Sequence, residues 1–260
     1  MSTPAEEVRL CHLYPRELNI YADRGNIAVL RMRLAWRGMR LLVEEAGVGD
    51  PVAPGRHDLF YLGGGQDRDQ AIVAEDMARG TGPAIVSAVE DGAALLAVCG
   101  GYQLAGHRYV GVDGVVMPGI GLLDAETIAG DDRLIGDVLV DATLDDVSRE
   151  VAGFENHAGR THLGAGATAF GRVLAGFGND GRSGMEGVTY RRAIGTYLHG
   201  PILPRNPWVA DTLLAWALAH RTGERVALPP LNDALEDAAR AVAAGRARGG
   251  RQERLLGRRA

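Results

Sequence analysis

Residues 95–106 read LLAVCGGYQLAG. An apolar run stops at a cysteine, two glycines follow, and a stretch able to form a helix begins. That order constrains the fold more than any other feature of the chain. It predicts a buried strand, a sharp turn at Cys99 and a helix leaving at once. In an open parallel sheet the carboxyl ends of the strands are where ligands bind. A strand–turn–helix elbow holds its central residue exposed and strained, and it needs small neighbours. Here those are Ala97, Gly100 and Gly101. The N–H groups at the start of the helix and its partial positive charge favour the thiolate, the reactive form of a cysteine. A lone cysteine in a strand is usually core packing. The elbow around Cys99 argues for a nucleophile instead, whereas Cys11, with no such context, reads as core.

The rest of the first half supports that frame. Residues 8–14 read as a strand and 24–40 as a helix turning Ile27, Leu30, Leu34 and Met32 toward a core, with Asp23 at its N-cap. LLVEEA reads as a second strand. Residues 57–67 read as a strand ending in three glycines, and 70–80 as a helix closed by a glycine. ALLAVC and GYQLAGHRYV complete the series as strand and helix. Strands alternating with helices predict an α/β fold, an open and mostly parallel sheet flanked by helices. Beyond residue 110 the segments are short, β-rich and punctuated by glycine, which predicts extra β-hairpins or strands added to the same sheet. Residues 206–223 and 231–245 read as amphipathic helices. The expected division is a main domain over 1–230, then a C-terminal helix and arginine-rich tail over 231–260. That tail is expected to be a solvated terminus.

Composition removes several functional classes. The chain has 260 residues, 46% of them apolar, enough for a large core. Its net charge of -5 offers no global basic field for nucleic acid or a membrane surface. All 28 basic residues are arginine, so no lysine is present to form a Schiff base. Two separated cysteines make neither a disulfide framework nor a zinc motif. No apolar run approaches the length of a membrane helix, and the N-terminus lacks the pattern of a signal peptide, so the cytoplasm is expected.

A cysteine nucleophile needs a base and an oxyanion hole. Of seven histidines, His199 is the best placed, because AIGTYLHG reads as a strand ending at the imidazole. His157, in GFENHAGR, is second. His12, His107 and His220 lie within elements, and His57 and His162 lack a motif. Gly100 would donate one N–H to the oxyanion. The glycines of LGGGQD, Gly63 to Gly65, stand at a neighbouring strand end, where the second donor is expected. A phosphate loop is excluded by the missing GK[ST].

LGGGQD, AVCGGYQLAG and GTYLHG, in that order, resemble the class I (triad-type) glutamine amidotransferases. With LNIYADRGNI, DDRLIGDVLV, GFENHAGRT and LHGPILPRNP they are most similar to the cobyric acid synthase-like branch, and within it to the GatD-type glutaminase subunits of lipid II isoglutaminyl synthase. The resemblance runs from residue 18 to residue 207. It implies that Cys99 attacks the side-chain amide of L-glutamine, that His199 carries the protons, and that Gly64 and Gly100 hold the oxyanion. It implies that Arg133 binds the substrate carboxylate and that Gln103 lies near the substrate. The alternatives are a surface ion pair of Arg133 with Asp131 or Asp132, and an ordinary helix polar residue at 103. It further implies a heterodimer in which ammonia passes to a MurT-type, Mur ligase-like subunit. That partner would use ATP and Mg to amidate D-glutamate in peptidoglycan biosynthesis, with no cofactor in this chain.

Two departures from the family pattern matter. Ala97 stands where many members have glycine, which a turn with negative φ tolerates. The usual His-x-Glu is missing, since Gly200 and Pro201 follow His199. The acid that orients the imidazole would then come from the partner subunit, the preferred source, or from Glu155 or Asp23. Glutaminases for another acceptor, such as a cobyrinate-type acid, and a non-catalytic regulatory module remain the alternatives. Retention of Cys99 and His199 argues against the module.

Overall fold

Strands whose residues are buried along their whole length need cover on both faces, and Leu59–Leu62, Ala94–Val98 and Ala193–Thr196 are of this kind. The computed structural model describes residues 7–20 and 24–257. In chain order the elements are β1 (Glu7–Leu13), α1 (Arg24–Ala35), β2 (Arg40–Ala46), β3 (Leu59–Leu62), α2 (Asp67–Asp76), α3 (Gly82–Glu90), β4 (Ala94–Val98) and α4 (Gly100–Ala105). There follow β5 (Arg108–Val110), β6 (Val116–Pro118), β7 (Ala125–Leu144), β8 (Val147–Leu163), β9 (Gly171–Ala175), β10 (Met185–Glu186), β11 (Val188–Tyr190), β12 (Ala193–Thr196), α5 (Pro207–Thr222) and α6 (Ala234–Gly257). The first sheet has the order β11-β12-β4-β3-β1-β2, and all its pairings are parallel except β11 with β12. The α/β architecture is thus the one read from the sequence.

The second half departs from that reading. Most of its strands do not extend the first sheet. They form a second one, β10-β9-β7-β5-β6, with β8 paired to β7. The β7–β8 hairpin dominates it, and its register shifts between Ala129 and Leu134. Only β11 and β12 return to the first sheet. Among the described residues two isolated antiparallel bridges, Phe154 with His199 and Thr168 with Thr189, tie the two halves, and Val138, Val140 and Val151 of the second sheet share the core of the first. Alternation of polarity shows that a segment is a strand but not which sheet it joins, because the pairing partner is chosen by contacts distant in the chain.

The helices differ from their predicted limits in informative ways. α1 stops at Ala35, where Met39 donates its N–H back to the Leu34 carbonyl. Ile27, Leu30 and Leu34 face the core, but Met32 is exposed. Gly80 closes its helix as read: its backbone, at φ 168° and ψ -38°, leaves the helical region and puts a kink between the wide last turn, Met77–Thr81, and α3. The segment after Cys99 is helical only to Ala105, and Arg108–Val110 is a strand. The helix read over 231–245 extends into the arginine-rich tail, where Arg246 and Arg248 are exposed. α6 runs to Gly257, and Ala243, Ala244 and Ala247 pack on Leu139, Ala152 and Ala175 of the second sheet. Arg248 pairs with Glu150, and Arg246 lies 3.6 Å from Asp137.

One ion network locks α1, α5 and the lead into α6. The Arg33 side chain is 1% exposed and pairs with Asp211 at 2.6 Å and Asp233 at 2.7 Å, while Arg37 pairs with Asp211 at 2.7 Å. Removing one partner of a buried pair strands the other charges. Because both carboxylates keep 25% exposure, water softens the loss. Arg33→Ala is therefore expected to cost roughly 2–4 kcal/mol, read from urea unfolding.

Candidate active site

The apolar β4 delivers Cys99 into a turn at φ 51°, ψ -106°, a conformation that side chains rarely adopt. The Cys99 N–H donates to the Thr196 carbonyl at the end of β12, at 2.9 Å. Its own carbonyl accepts the Gln103 N–H at 3.0 Å, which starts α4. Close approach of backbones explains the glycines. A Cβ on Gly101 would fall 2.5 Å from the Leu62 carbonyl oxygen and 2.8 Å from that of Gly63. The start of α4 thus lies against the end of β3, and the Gly101 N–H donates to the Gly63 carbonyl at 2.9 Å.

Gly64 stands where nucleophile and base meet. A Cβ there would lie 3.2 Å from the His199 Cε1, 3.3 Å from the Cys99 Cβ and 3.1 Å from Ile20. Cys99, His199 and Gly64, 135 residues apart in chain at the extremes (199 − 64 = 135), therefore share one small space. Gly100 is the first residue of α4, where N–H groups have no acceptor within the helix. A Cβ on Gly100 would come 2.9 Å from the Gly65 nitrogen, so the two glycine loops abut. This is the arrangement an oxyanion hole requires: backbone donors from two adjacent strand ends beside the nucleophile.

His199 is fully buried, three residues past β12. Its N–H donates to the Phe154 carbonyl at 2.7 Å, and the Phe154 N–H donates to the His199 carbonyl at 3.2 Å. Two asparagines fix the loop that follows. Asn206 accepts the Ala152 N–H at 3.0 Å and donates to the Ala152 and Ile202 carbonyls at 2.9 and 2.6 Å. Asn26 accepts the Leu203 N–H at 2.9 Å. His199 is thus held by the second sheet on one side and by α1 on the other.

The remaining candidates fall around this centre. Gln103 is buried and donates to the Tyr197 hydroxyl at 3.2 Å. From there hydroxyl contacts run to Thr161 at 2.6 Å and on to Thr127 at 2.7 Å. Arg133 is exposed in the irregular stretch of β7, and its guanidinium donates to the Asn156 side-chain oxygen at 2.8 Å and carbonyl at 2.9 Å. Asp132 pairs with Arg160 instead. Glu155 is 1% exposed, and its oxygens accept the N–H groups of Phe177 at 2.7 Å and Gly178 at 2.8 Å. It follows Phe154, the residue that bridges to His199. Asp23 lies outside the described residues.

His157 is in the site but is fixed there as a neutral ring. It stacks on Tyr197 with centroids 3.6 Å apart and planes at 5°. Its Nδ1 faces the Gly159 carbonyl at 2.8 Å, and a carbonyl only accepts, so Nδ1 carries the proton. Burial pushes its pKa down to about 3. His12, His57, His107 and His220 sit elsewhere, packed on Tyr61 or paired with Glu44, Asp124 and Asp58. Sequence reasoning overlooked Thr196, Asn206 and Glu186. Glu186 is a fully buried acid beneath the turn that carries His199. A glutamate followed by glycine in MEGVTY reads as a surface turn, and no spacing marks it otherwise.

Comparison with known proteins follows from this geometry. Residues 9–207 match the CobB/CobQ-like glutamine amidotransferase domain. The chain is 38% identical over 208 residues to the lipid II isoglutaminyl synthase (glutamine-hydrolyzing) subunit GatD of Staphylococcus aureus (strain N315), covering 80% of this chain and 83% of that one. The subunit of the same name from Streptococcus pneumoniae (strain ATCC BAA-255 / R6) is 34% identical over 230 residues, covering 88% and 87%. Cobyric acid synthase of Rhodobacter capsulatus is 31% identical over 211 residues, but the match spans only 41% of its length. Among solved structures, a chain of PurLQS from Thermotoga maritima shares the fold with a TM-score of 0.59 at 16% identity, covering 82% of this chain and 98% of that one.

Two outcomes are expected. Gly64→Ala pushes a methyl between Cys99 and His199 and should lower kcat for glutamine hydrolysis by roughly tenfold or more, because small misplacements at a reacting centre are costly; the folded chain, checked by its thermal midpoint, should change little. His157 refuses a proton that the unfolded chain accepts at its ordinary pKa of 6.5. Its contribution to stability is complete above that pH and shrinks as pH falls toward 3. Urea midpoints measured across this window should therefore fall more steeply for the wild type than for His157→Phe.

Proposed function

The chain belongs to the CobB/CobQ-like glutamine amidotransferases, a glutamine-hydrolysing enzyme subunit, and on that premise we propose that it supplies ammonia for amidation of lipid II. The observation that carries the chemistry is the shared space of Cys99, His199 and Gly64 at three strand ends. Cys99 Sγ attacks the side-chain carbonyl carbon of L-glutamine, and His199 takes the thiol proton. The oxyanion rests on the N–H groups of Gly64 and Gly100. In other hydrolases one such donor contributes roughly 3–4 kcal/mol. His199 passes the proton to the amide nitrogen, the C–N bond breaks, and ammonia leaves a glutamyl thioester. Water, deprotonated by His199, attacks the thioester and glutamate leaves, with the proton returning to the sulfur.

Arg133 binds the substrate α-carboxylate in this reading. Its hold on Asn156 leaves a planar guanidinium fixed beside the site, and such a group suits a carboxylate. Gln103, tied to Tyr197, limits the space next to the substrate. Of the two acids read from the sequence, Glu155 is the one within the described residues, and we assign it the role of orienting His199, with the partner subunit as the alternative source. The acceptor is a Mur ligase-like subunit of the MurT type, which uses ATP and Mg to activate the D-glutamate α-carboxylate of the lipid II stem peptide. The identity to two GatD subunits over most of their length supports this acceptor. A cobyrinate acceptor is less supported, because the cobyric acid synthase of Rhodobacter capsulatus matches at 31% identity, below both GatD subunits.

The test is intact-protein mass after exposure to 6-diazo-5-oxo-norleucine. One adduct on the wild type and none on Cys99→Ala is the expected result; no adduct on the wild type, even with a MurT-type partner, would sink the glutaminase reading. Arg133→Ala should raise KM for glutamine by roughly ten- to a hundredfold with a smaller change in kcat, since a charged hydrogen-bonded pair contributes about 1.5–3 kcal/mol. Glu155→Gln should lower kcat, and an unchanged kcat would move the orienting acid to the partner.

A further inference from the structure

The reaction described above uses Cys99 and His199, yet another buried acid touches the backbone that joins them. Glu186 ends β10 and is 0% exposed. Its Oε1 accepts the Thr196 hydroxyl at 2.5 Å and the Tyr197 N–H at 2.9 Å. The Thr196 hydroxyl in turn accepts the Leu198 N–H at 3.1 Å. Three consecutive residues leading to His199 thus hang from one carboxylate oxygen. Thr196 also holds the nucleophile, because its carbonyl accepts the Cys99 N–H at 2.9 Å. A second path runs through Asn179, which brackets Gly187 with bonds of 2.8 and 3.1 Å and accepts the Tyr102 hydroxyl at 3.3 Å. Tyr102 lies in α4, three residues past Cys99.

We propose that Glu186 is a positioning residue for the glutaminase centre: it fixes the turn that carries His199 and sets a negative charge against the imidazolium formed when Cys99 loses its proton. The inference rests on the Cys99–His199 chemistry proposed above. Its physical ground is cost. An acid buried away from water is expensive, and an amide would accept the same two bonds without charge. Glu186 Oε2 has no hydrogen-bond partner among the described residues, so the bonds to the turn use only half of the group. Burial pushes its pKa up to about 7, while its hydrogen bonds to Thr196 and Tyr197, and the positive charge of a protonated His199, pull the other way. The other titratable groups that act with it are Tyr102 and Tyr197, and burial pushes both phenols upward, so they stay neutral. From the second sheet Glu155, next to the Phe154 bridge, and the neutral His157 also lie near His199, so Glu186 is one of two buried acids at the imidazole and the one tied to its own turn.

The sign of the effect follows. A negative neighbour favours imidazolium and disfavours thiolate, so it raises both pKa values of the pair. Removing it moves both limbs of the pH profile to lower pH. The test is the second-order rate at which 6-diazo-5-oxo-norleucine labels Cys99, followed by intact mass from pH 5 to 9, in the wild type and Glu186→Gln. The amide keeps both acceptor contacts and loses the charge. The expected result is a profile displaced downward by about 0.5–1 pH unit, an effect of a nearby charge, with slower labelling at the optimum and an unchanged thermal midpoint. A wild-type profile in Glu186→Gln would reduce Glu186 to a structural acceptor and overturn the proposal. If Glu186→Gln does not fold, the wild type alone decides through its infrared spectrum. A protonated-carboxyl band that titrates away near neutral pH supports a charge facing His199. A band that persists to pH 9 overturns it. Labelling of the wild type itself reports on the glutaminase reading, so the two failures are distinguishable.

Discussion

Cys99 keeps its left-handed backbone because three strand ends crowd it from different sides. β3 presses its Leu62 and Gly63 carbonyls against Gly101, β12 gives the Thr196 carbonyl to the Cys99 N–H, and α4 starts without a residue to spare. Such a conformation costs of order 1–3 kcal/mol and survives only where the surroundings over-determine it. Here the surroundings are the fully buried strands of a parallel sheet. Core burial and site geometry are therefore one fact: the strands that hold the fold also hold the sulfur.

The base is held by a different device. His199 comes after its strand has ended, where a parallel sheet no longer fixes the chain. The second sheet takes over through the Phe154 bridge, and the Asn206 side chain repeats the grip at Ala152. From beneath, Glu186 holds Thr196 and Tyr197. The second sheet also brings Arg133 and Asn156 together at the shift in β7–β8 register. The half of the chain that looked like decoration on the first sheet thus holds His199 in place. α6 in turn covers that sheet, with small alanines close against Leu139 and Ala152 and arginines reaching acids at the rim.

What could be read beforehand was local. The run from Ala94 through Gly101 states strand, turn and helix in residue types alone, and the same holds for LGGGQD and for α5, whose end at Gly223 follows the glycine rule for helix termini. What misled was also local. Met32 fits the apolar period of α1, yet that face of the helix is exposed. The helix read to residue 245 continues to Gly257, and Ala247 extends its alanine face at residues 243 and 244.

The sequence by itself determined the parallel α/β frame, the elbow at Cys99 and the pairing of a cysteine with a strand-end histidine. Each follows from short-range rules of burial, turn geometry and residue chemistry. Only the tertiary structure decided that the later strands form a second sheet, that His157 is neutral and stacked, and that Glu186 lies beneath His199. Those outcomes depend on contacts between residues far apart in the chain. Burial and local dielectric are properties of the packed surroundings, and no residue carries them in its own identity.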